Sequence, residues 1–459
     1  MKDSFTDRIS DGLSQELLKY LPFKDKLRLE SVSKQFQRTI YTKQYILFLG
    51  PNNNYEDVSK STEQSIRNNE CLAFTSQEAL ESVLKKCRNI SEIYIIDESY
   101  NPLQNDGLIS AVFNHCHNLD AIKCSFDGLT DKKIAQFLHR FGEEIRKLGL
   151  YDEFRFAPHP YNRHLIKYMP NINELTVSSP KWLRGQESEA THLTKLALWL
   201  IADQRETIEA IIDANWQTLS YIHFYSHNYQ TPQMYSLFER LKRVKGLKSF
   251  RFDNFRKEWM ELSFNCPFHL YLRQLSVNCQ QIREICIKLY TNSGVNRNVF
   301  FSIKYFYRLK RLSLHLVNEL ESDHYNYSSQ SLAACKQLER LCLNVSHITD
   351  EFFVNSDTSL KRLQQIELKN TVISEEAFQW LAKHSKLEAI SLTAKRGLVV
   401  TYVPDVTVNH IINNNPRLRS IKYMSEDNAL LDVTDEDTHR IRQESKNIKL
   451  YSITSGRFV

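Results

Sequence analysis

A short hydrophobic phrase recurs from about residue 87 to the C-terminus: an apolar residue, two others, a second apolar residue, one other, and a third apolar residue. Side chains of a β-strand alternate between its two faces, so the second and third apolar positions share one face. Each phrase therefore predicts a short strand with one buried face. Fourteen phrases fit: Ile90/Ile93/Ile95, Leu119/Ile122/Cys124, Ile145/Leu148/Leu150, Ile172/Leu175/Val177, Leu193/Leu196/Leu198, Leu219/Ile222/Phe224, Leu247/Phe250/Phe252, Ile282/Ile285/Ile287, Leu309/Leu312/Leu314, Leu338/Leu341/Leu343, Leu363/Ile366/Leu368, Leu387/Ile390/Leu392, Leu418/Ile421/Tyr423 and Ile448/Tyr451/Ile453.

The spacing of these phrases indicates a repeat protein. Consecutive phrases start 21 to 35 residues apart, and most steps lie in the mid-twenties, which is typical of leucine-rich repeats with their period of about 20–29 residues. A single strand cannot bury its apolar row, whereas stacked units join the rows into one core. Helical spacing precedes many strands, as in Leu80, Val83 and Leu84 or in Phe378 and Leu381. The predicted fold class is α/β: a leucine-rich-repeat solenoid with concave parallel strands and convex helices.

Cysteines follow the same register. Four of the nine lie three residues before the first apolar position of a strand: Cys87, Cys116, Cys279 and Cys335. In leucine-rich repeats whose helices end with cysteine, this residue packs against the next unit, so we expect buried, reduced thiols. The register also predicts a helix at Leu272, Leu275 and Val277, although these residues fit the strand phrase. The reason is that the next phrase begins at Ile282, only ten residues after Leu272.

The composition narrows the possible functions. The 11 glycines form neither a Walker-type run nor a G-x-G-x-x-G sequence, so no phosphate-binding loop is expected. A net charge of +6 over 459 residues is mild and argues against a nucleic-acid partner. The N-terminus is polar and no apolar run approaches ~20 residues, so we expect neither a signal peptide nor a membrane partner. Together with reduced cysteines, these features favour the cytoplasm, the nucleus or both.

No catalytic, metal or cofactor site is predicted. The run His115-Cys116-His117 looks like a metal cluster, but Cys116 belongs to the repeat register and no C-x-x-C pair completes a tetrahedral site. Scattered Ser, His and Asp residues have no spacing that fixes a catalytic triad. We therefore expect a protein that binds a partner rather than an enzyme.

The first 48 residues do not share the repeat. Apolar residues at helical spacing end at Pro22, and a second apolar set follows with basic Lys34 and Arg38 beside it. The first set is Ile9, Leu13, Leu17, Leu18 and Leu21, and the second is Leu27, Leu29, Val32 and Phe36. Residues 50–70 are polar and rich in Asn and Ser. The predicted organisation is a helical module at 1–48, a linker at 49–75 and the repeats at 76–459.

The segment ISDGLSQELLKYLPFKDKLRLESVSKQFQRTI (9–40) resembles the F-box. Leu21-Pro22 matches the Leu-Pro that ends the first apolar helix of that family, and Asp25-Lys26-Leu27 matches the loop into the next helix. Val32-Ser33-Lys34-Gln35-Phe36 matches the closing segment, with Phe where Trp is commoner. Ser10 stands where the family usually has its first proline. An F-box followed directly by leucine-rich repeats is a known architecture, so the chain resembles an F-box/leucine-rich-repeat protein.

This resemblance implies a non-catalytic substrate receptor of an SCF-type cullin–RING ubiquitin ligase, which marks proteins for proteasomal degradation. Such a receptor raises the effective concentration of a substrate near the ubiquitin-conjugating enzyme. The F-box would bind the Skp-family adaptor, and through it the cullin, with Ile9, Leu13, Leu17, Leu21, Pro22, Leu27, Val32 and Phe36. Two alternatives stay open: a leucine-rich-repeat scaffold or regulator whose N-terminal helices cap the solenoid, and an enzyme inhibitor that uses the concave face.

The protein substrate is expected on the concave face. There the third, fifth and seventh positions of each phrase point away from the core, and aromatic and Arg side chains dominate binding hot spots. The candidates are Trp199, Tyr221, His223, Tyr225, Arg251, Arg311 and His315. Arg251 and Arg311 suit a phosphate, and the open alternative is that these side chains only pack against neighbouring strands. Insertions at 152–164, 290–300 and 424–437 are a second candidate surface.

Overall fold

The chain folds into two compact units, residues 1–199 and 200–459. The structure is a computed structural model, and it describes residues 11–19, 21, 23–49, 71–72, 77–95, 104–126, 129–150, 165–226, 231–254, 267–290, 293–317, 329–348, 351–354, 360–371, 375–394, 405–425 and 449–452. Both units have the predicted α/β leucine-rich-repeat fold, in which parallel strands lie side by side and helices precede them in the chain.

Within the described residues, the first unit has seven parallel strands in the order β2-β1-β3-β4-β5-β6-β7. They are β1 (Ile46–Leu49), β2 (Cys71–Leu72), β3 (Glu92–Ile95), β4 (Ala121–Cys124), β5 (Lys147–Leu150), β6 (Glu174–Val177) and β7 (Lys195–Leu200), the last of which ends at the boundary between the units. The helices are α1 (Asp11–Lys19), α2 (Phe23–Leu29), α3 (Lys34–Lys43), α4 (Gln77–Lys86), α5 (Gln104–His115) and α6 (Asp131–Phe141), with 3-10 helices at Ile166–Tyr168 and Pro180–Leu183.

The second unit has the same repeat, and its described part contains nine parallel strands in chain order. They are β8 (Tyr221–Ser226), β9 (Ser249–Asn254), β10 (Glu284–Tyr290), β11 (Arg311–Val317), β12 (Arg340–Ile348), β13 (Gln365–Thr371), β14 (Ala389–Ala394), β15 (Ser420–Ser425) and β16 (Lys449–Ser452). The helices are α7 (Arg205–Asn215), α8 (Thr231–Leu241), α9 (Phe268–Asn278), α10 (Ser293–Ser302), α11 (Glu351–Val354), α12 (Glu375–Ala382) and α13 (Asp405–Asn414), with 3-10 helices at Ala202–Gln204, Ile303–Tyr305 and Ser329–Leu332.

The core of each unit lies between its strands and its helices. On β10 the burial alternates residue by residue, so one face of the strand is buried and the other forms what we call the open face, directed away from the helices. Phe238 of α8 packs 5.8 Å from Phe250 of β9, and Phe268 of α9 packs 4.7 Å from Phe252 of the same strand, measured between ring centroids. Burial of one such ring contributes about 1.5–3 kcal/mol to folding.

Two segments test the sequence analysis directly. The helix predicted at Leu272, Leu275 and Val277 is confirmed as α9. The predicted insertion at 290–300 is wrong, because residues 293–302 form α10, whose Val299 and Phe300 are buried in the repeat core. The insertion predicted at 152–164 lies outside the described residues, as do residues 426–437 of the third insertion.

The sheet also differs from the prediction at both ends of the repeat. Strand β1 pairs with β3, with Leu47 opposite Ile93, so the strands begin inside the segment assigned to the N-terminal module. Strand β2 lies within the predicted linker. In the last repeat, Ile421 pairs with Leu450 rather than with Tyr451, so the predicted phrase is wrong by one residue.

The predicted burial of the repeat cysteines is confirmed. Their thiols, however, bond to the preceding repeat and not to the next one. Cys279 and Cys335 are fully buried, and their thiols donate to the backbone carbonyls of Leu241 (3.4 Å) and Phe306 (3.6 Å). Both carbonyls belong to the preceding repeat, whereas the next repeat was expected. Burial raises the pKa of each thiol to about 12, so both stay protonated at neutral pH. Within the described part of the chain, every helix is too short or too polar to cross a membrane.

Candidate functional site

Helix α1 turns one apolar face to solvent. Leu13 is 52% exposed and Leu17, one helical turn later, is 46% exposed. On the adjoining face Ser14 and Leu18 are buried, and α1 packs on α3. Because residues four apart share a helix face, the two exposed leucines lie side by side. An exposed apolar pair of this kind is suited to contact with another protein.

Helices α2 and α3 carry the other predicted adaptor contacts. Val32, between the two helices, is 50% exposed, whereas Leu21 and Leu27 are partly buried. Ser33 caps α3 by accepting a hydrogen bond from the backbone N–H of Phe36 (3.1 Å), and the Phe36 side chain is buried in the module. Phe36, which was predicted to contact the adaptor, is therefore part of the core of the module and not of its surface. Ile9 and Pro22 lie outside the described residues.

Glu30, which follows α2, and two residues of α3 also attach the module to the first repeat. Lys86, the last residue of α4, lies 2.7 Å from the Glu30 carboxylate, which also accepts a hydrogen bond of 2.5 Å from the Tyr41 hydroxyl. Burial alone would raise the pKa of Glu30, but the hydrogen bonds from Lys86 and Tyr41 outweigh it and lower the pKa. Asn89 donates to the carbonyl of Thr42 (2.7 Å). The sequence analysis missed these contacts, which link residues 47 to 56 positions apart.

On the open face of the second unit, a histidine lies under two tyrosines. The rings of His223 and Tyr225 are 3.9 Å apart between centroids, and Tyr221 approaches His223 edge-on at 6.5 Å. His223 is buried and shares a hydrogen bond of 2.9 Å with Asp253 of the next strand. Burial lowers the pKa of His223 despite that carboxylate. The predicted substrate contact His223 is thus beneath the surface, while Tyr221 and Tyr225 are partly exposed.

One carboxylate holds two arginines on the same face. Glu284 of β10 binds Arg251 of β9 and Arg311 of β11, the latter at 2.8 Å. Arg251 also places its guanidinium 5.6 Å from the centroid of the Tyr221 ring. Glu284 and Arg251 are largely buried, and Arg311 is 55% exposed. Both arginines proposed for a phosphate therefore already share one carboxylate of the protein itself.

Two predicted residues remain, His315 in the second unit and Trp199 in the first. His315 of β11 shares a hydrogen bond of 3.0 Å with Asn344 of β12 and lies 6.1 Å from the Tyr290 ring. Trp199 is the last residue of the first unit and is partly buried on β7. The structure thus brings together Tyr221, His223, Tyr225, Arg251 and Arg311, and the sequence analysis missed the acidic partner Glu284. Its position opposite Arg311 in the strand register is the signal that would have revealed it.

Residues 115–117, which look like a metal cluster in the sequence, lie at the end of helix α5. Across the described residues, no group of three or more His, Cys, Asp or Glu side chains is arranged to hold a metal ion. In the run of residues 115–117, Cys116 is buried and its pKa is raised to about 12, and His115 lies 3.4 Å from Glu81. The arrangement is therefore one of helix ends and repeat packing.

Comparison with known proteins gives a distant fold likeness. No protein-family model and no curated protein sequence matches the chain. The chain is similar to the complex of Rad7 and Elc1 from yeast, with 14% identity, a TM-score of 0.38, and 83% of this chain and 93% of that chain covered. The chain is also similar to the complex of TLR13 with ssRNA13, with 12% identity and a TM-score of 0.42. That match covers 86% of this chain and 61% of the other chain.

A third similar structure is the leucine-rich-repeat ectodomain of the plant receptor kinase GASSHO1/SCHENGEN3 from Arabidopsis thaliana in complex with CASPARIAN STRIP INTEGRITY FACTOR 2. It has 10% identity and a TM-score of 0.32, and the match covers 86% of this chain and 46% of that chain. The chain thus spans less than two thirds of the length of the TLR13 and GASSHO1 chains.

Proposed function

We propose that this protein is the substrate-recognition subunit of an SCF-type ubiquitin ligase, acting in the cytoplasm, the nucleus or both. The N-terminal module binds a Skp-family adaptor, and the repeats bind a protein substrate. The chain performs no bond chemistry and acts by holding the substrate near the conjugating enzyme. The observation that supports this proposal is the pair Leu13 and Leu17, half exposed on a helix that matches the F-box segment.

The three helices of the module divide two tasks. A helix that only caps a repeat array needs its apolar side chains against the array, and α3 meets this need with Phe36 and Ile40 buried. Leu13 and Leu17 of α1 do not pack against the array in this way, because about half of each residue is exposed to solvent. Covering such a pair with a partner contributes a few kcal/mol, since a fully buried leucine contributes about 1.5–3 kcal/mol. Helix α1 with Val32 is therefore the docking surface, and α2 and α3 attach it to the repeats.

The experiment is a binding titration of purified Skp-family adaptor against the full chain carrying Leu13→Asp and Leu17→Asp. We expect the dissociation constant to rise by about 100-fold or more, because two apolar contacts are replaced by buried charges. The melting temperature should stay within a few degrees of the original, because both side chains are half exposed. Tyr168→Asp is the matched control, since Tyr168 is 52% exposed in the same unit and belongs to neither surface.

Three outcomes contradict this proposal: the unmodified chain fails to bind the adaptor, the double variant binds as well as the original, or Tyr168→Asp weakens binding equally. A second candidate function is a scaffold whose helices only cap the repeats, and the Lys86–Glu30 ion pair at the module's attachment favours it. In that case the double aspartate variant would lower the melting temperature strongly and the adaptor would not bind.

A further inference from the structure

The helical side of the second unit carries apolar side chains that its core does not use. In α9 the buried residues Phe268, Leu272 and Leu275 recur at helical spacing and face the core. On the opposite face Leu270 is 48% exposed and Val277 is 64% exposed. Seven residues separate these two, so they lie two helical turns, about 10 Å, apart along one face.

Cations of two neighbouring repeats converge beside this apolar pair. The Arg273 guanidinium of α9 lies 5.2 Å from the centroid of the Tyr305 ring. Lys304 Nζ lies 5.2 Å from the same centroid. The next exposed tyrosine, Tyr307, has the guanidinium of Arg308 at 5.7 Å. We call Leu270, Arg273, Val277, Lys304, Tyr305 and Tyr307 the cationic helical surface.

No acidic residue belongs to the segments that build this surface. Residues 267–283, 293–310 and 329–338, which precede β10, β11 and β12, contain no Asp and no Glu. The adjacent helix pair α7 and α8 is different. There Arg240 and Arg243 each lie 2.7 Å from the carboxylate of Asp213, and Lys242 pairs with Glu239. Within the described residues, the cations of the α7–α8 surface are thus paired with carboxylates, whereas Arg273 and Lys304 lie beside an aromatic ring.

We propose that the cationic helical surface binds an acidic segment of a partner protein that also carries apolar side chains. The charge complementarity fits, because two cations beside one ring attract a carboxylate, and the described segments that build this surface contain none. The composition fits as well, because Tyr and Arg dominate the energetics of protein interfaces. This site lies on the helices and uses none of the open-face or α1 residues, so it does not depend on the proposed ligase function.

The experiment is a phage-display selection from a random peptide library on the full-length protein, repeated on the variant Arg273→Glu, Lys304→Glu. We expect peptides rich in Asp, Glu and large apolar residues to be enriched on the original protein and lost on the variant. Fluorescence polarisation of an enriched peptide should show affinity reduced at least about tenfold by the double variant and also by Val277→Asp. Higher salt should weaken binding, since exposed charges are screened.

Arg362→Glu is the matched control, because Arg362 is exposed on another repeat of the same unit. It should leave peptide binding unchanged, and all variants should melt like the original protein. The proposal is overturned if no enriched peptide depends on Arg273 and Lys304, or if the dependent peptides lack acidic residues. It is equally overturned if the surface binds vesicles of anionic phosphatidylserine in a manner lost with Arg273→Glu, Lys304→Glu while no acidic peptide binds.

Discussion

Helix α1 and the open face of β8–β11 were both predicted to bind partners, and they differ in what their side chains already contact. On α1, Leu13 and Leu17 leave about half of their apolar surface in water. On the open face, Glu284 forms ion pairs with two arginines and Asp253 binds His223. Residue type alone would rank the aromatic and cationic face higher, because Tyr and Arg are enriched in hot spots.

The difference indicates that exposed apolar area identifies a binding surface better than residue type does. An exposed leucine pair gains free energy when a partner covers it. A paired arginine first loses its own carboxylate, so its use by a phosphate costs the existing ion pair. We therefore expect a substrate on the open face to use Tyr221 and Tyr225 rather than to displace Glu284. The substrate contacts themselves stay a prediction.

The largest expected effect comes from deleting residues 1–48. This deletion removes Leu47 and Phe48 of β1, which are buried in the sheet, and leaves the edge of β3 unpaired. We expect the free energy of unfolding to fall by about 5 kcal/mol or more, since each such side chain contributes about 1.5–3 kcal/mol when buried. Chemical denaturation followed by circular dichroism measures this loss.

The matched control is a deletion of residues 1–20, which removes α1 but keeps α3 and β1. It should cost only about 1–2 kcal/mol, because among the apolar side chains described in α1 only Leu18 is buried. If the two deletions destabilise the protein equally, then α1 belongs to the structural cap and the contrast drawn above fails. Adaptor binding should be lost with both deletions, so a pull-down with the longer deletion alone cannot separate docking from capping.

The fold was predictable because the apolar phrase is a local signal that recurs with little change. The prediction of strands was wrong where the apolar phrase is incomplete or ambiguous. In β1 the polar residue Gln44 occupies the first position of the phrase, so only the second and third positions, Leu47 and Leu49, are apolar. In β16 two registers compete, and a slip of one residue exchanges the faces of a strand. Helix α10 was missed because tertiary packing of Val299 and Phe300, rather than intrinsic propensity, stabilises it.

The open-face contacts were harder to predict because they join different repeats. Glu284 lies directly opposite Arg311 in the strand register, so aligned repeats would have revealed that pair. The His223–Asp253 contact is diagonal, because Asp253 is opposite Tyr225. Diagonal contacts depend on side-chain length and rotamer as well as register. The direction of the Cys279 thiol was missed for a similar reason, since it depends on which neighbouring carbonyl lies in reach.

An intermediate effect is expected for Glu284→Gln. The substitution leaves the largely buried Arg251 without its carboxylate, and breaking a buried pair from one side costs about 3–5 kcal/mol. We expect a loss near the lower end, about 3 kcal/mol, because Gln still accepts a hydrogen bond. Arg311→Ala is the control and should cost less than about 1 kcal/mol, since Arg311 is mostly in water. If urea denaturation shows the same loss of unfolding free energy for both variants, then the main contribution of Glu284 is its ion pair with the exposed Arg311.

The smallest effect concerns protonation of His223. Burial lowers the pKa of His223 below its ordinary value of 6.5, and the charge of Arg251 acts in the same direction. The unfolded chain therefore binds this proton more readily than the folded one. Stability is complete above the ordinary pKa and decreases as the pH falls from there toward the lowered pKa of the folded state. His223→Gln, which can still donate to Asp253, removes this term.

We therefore expect the melting temperature of the original protein to fall more than that of His223→Gln between about pH 7.5 and pH 5.5. His269 and His384 also have pKa values lowered by burial, so both proteins lose some stability in acid, and only the difference between them reports on His223. A melting temperature of the original protein that rises in acid relative to the variant would mean that Asp253 outweighs burial and raises the pKa. His223 would then be a charged partner of Asp253 on the open face, and the distinction between an ion-paired open face and the exposed leucines of α1 would have to rest on Glu284 alone.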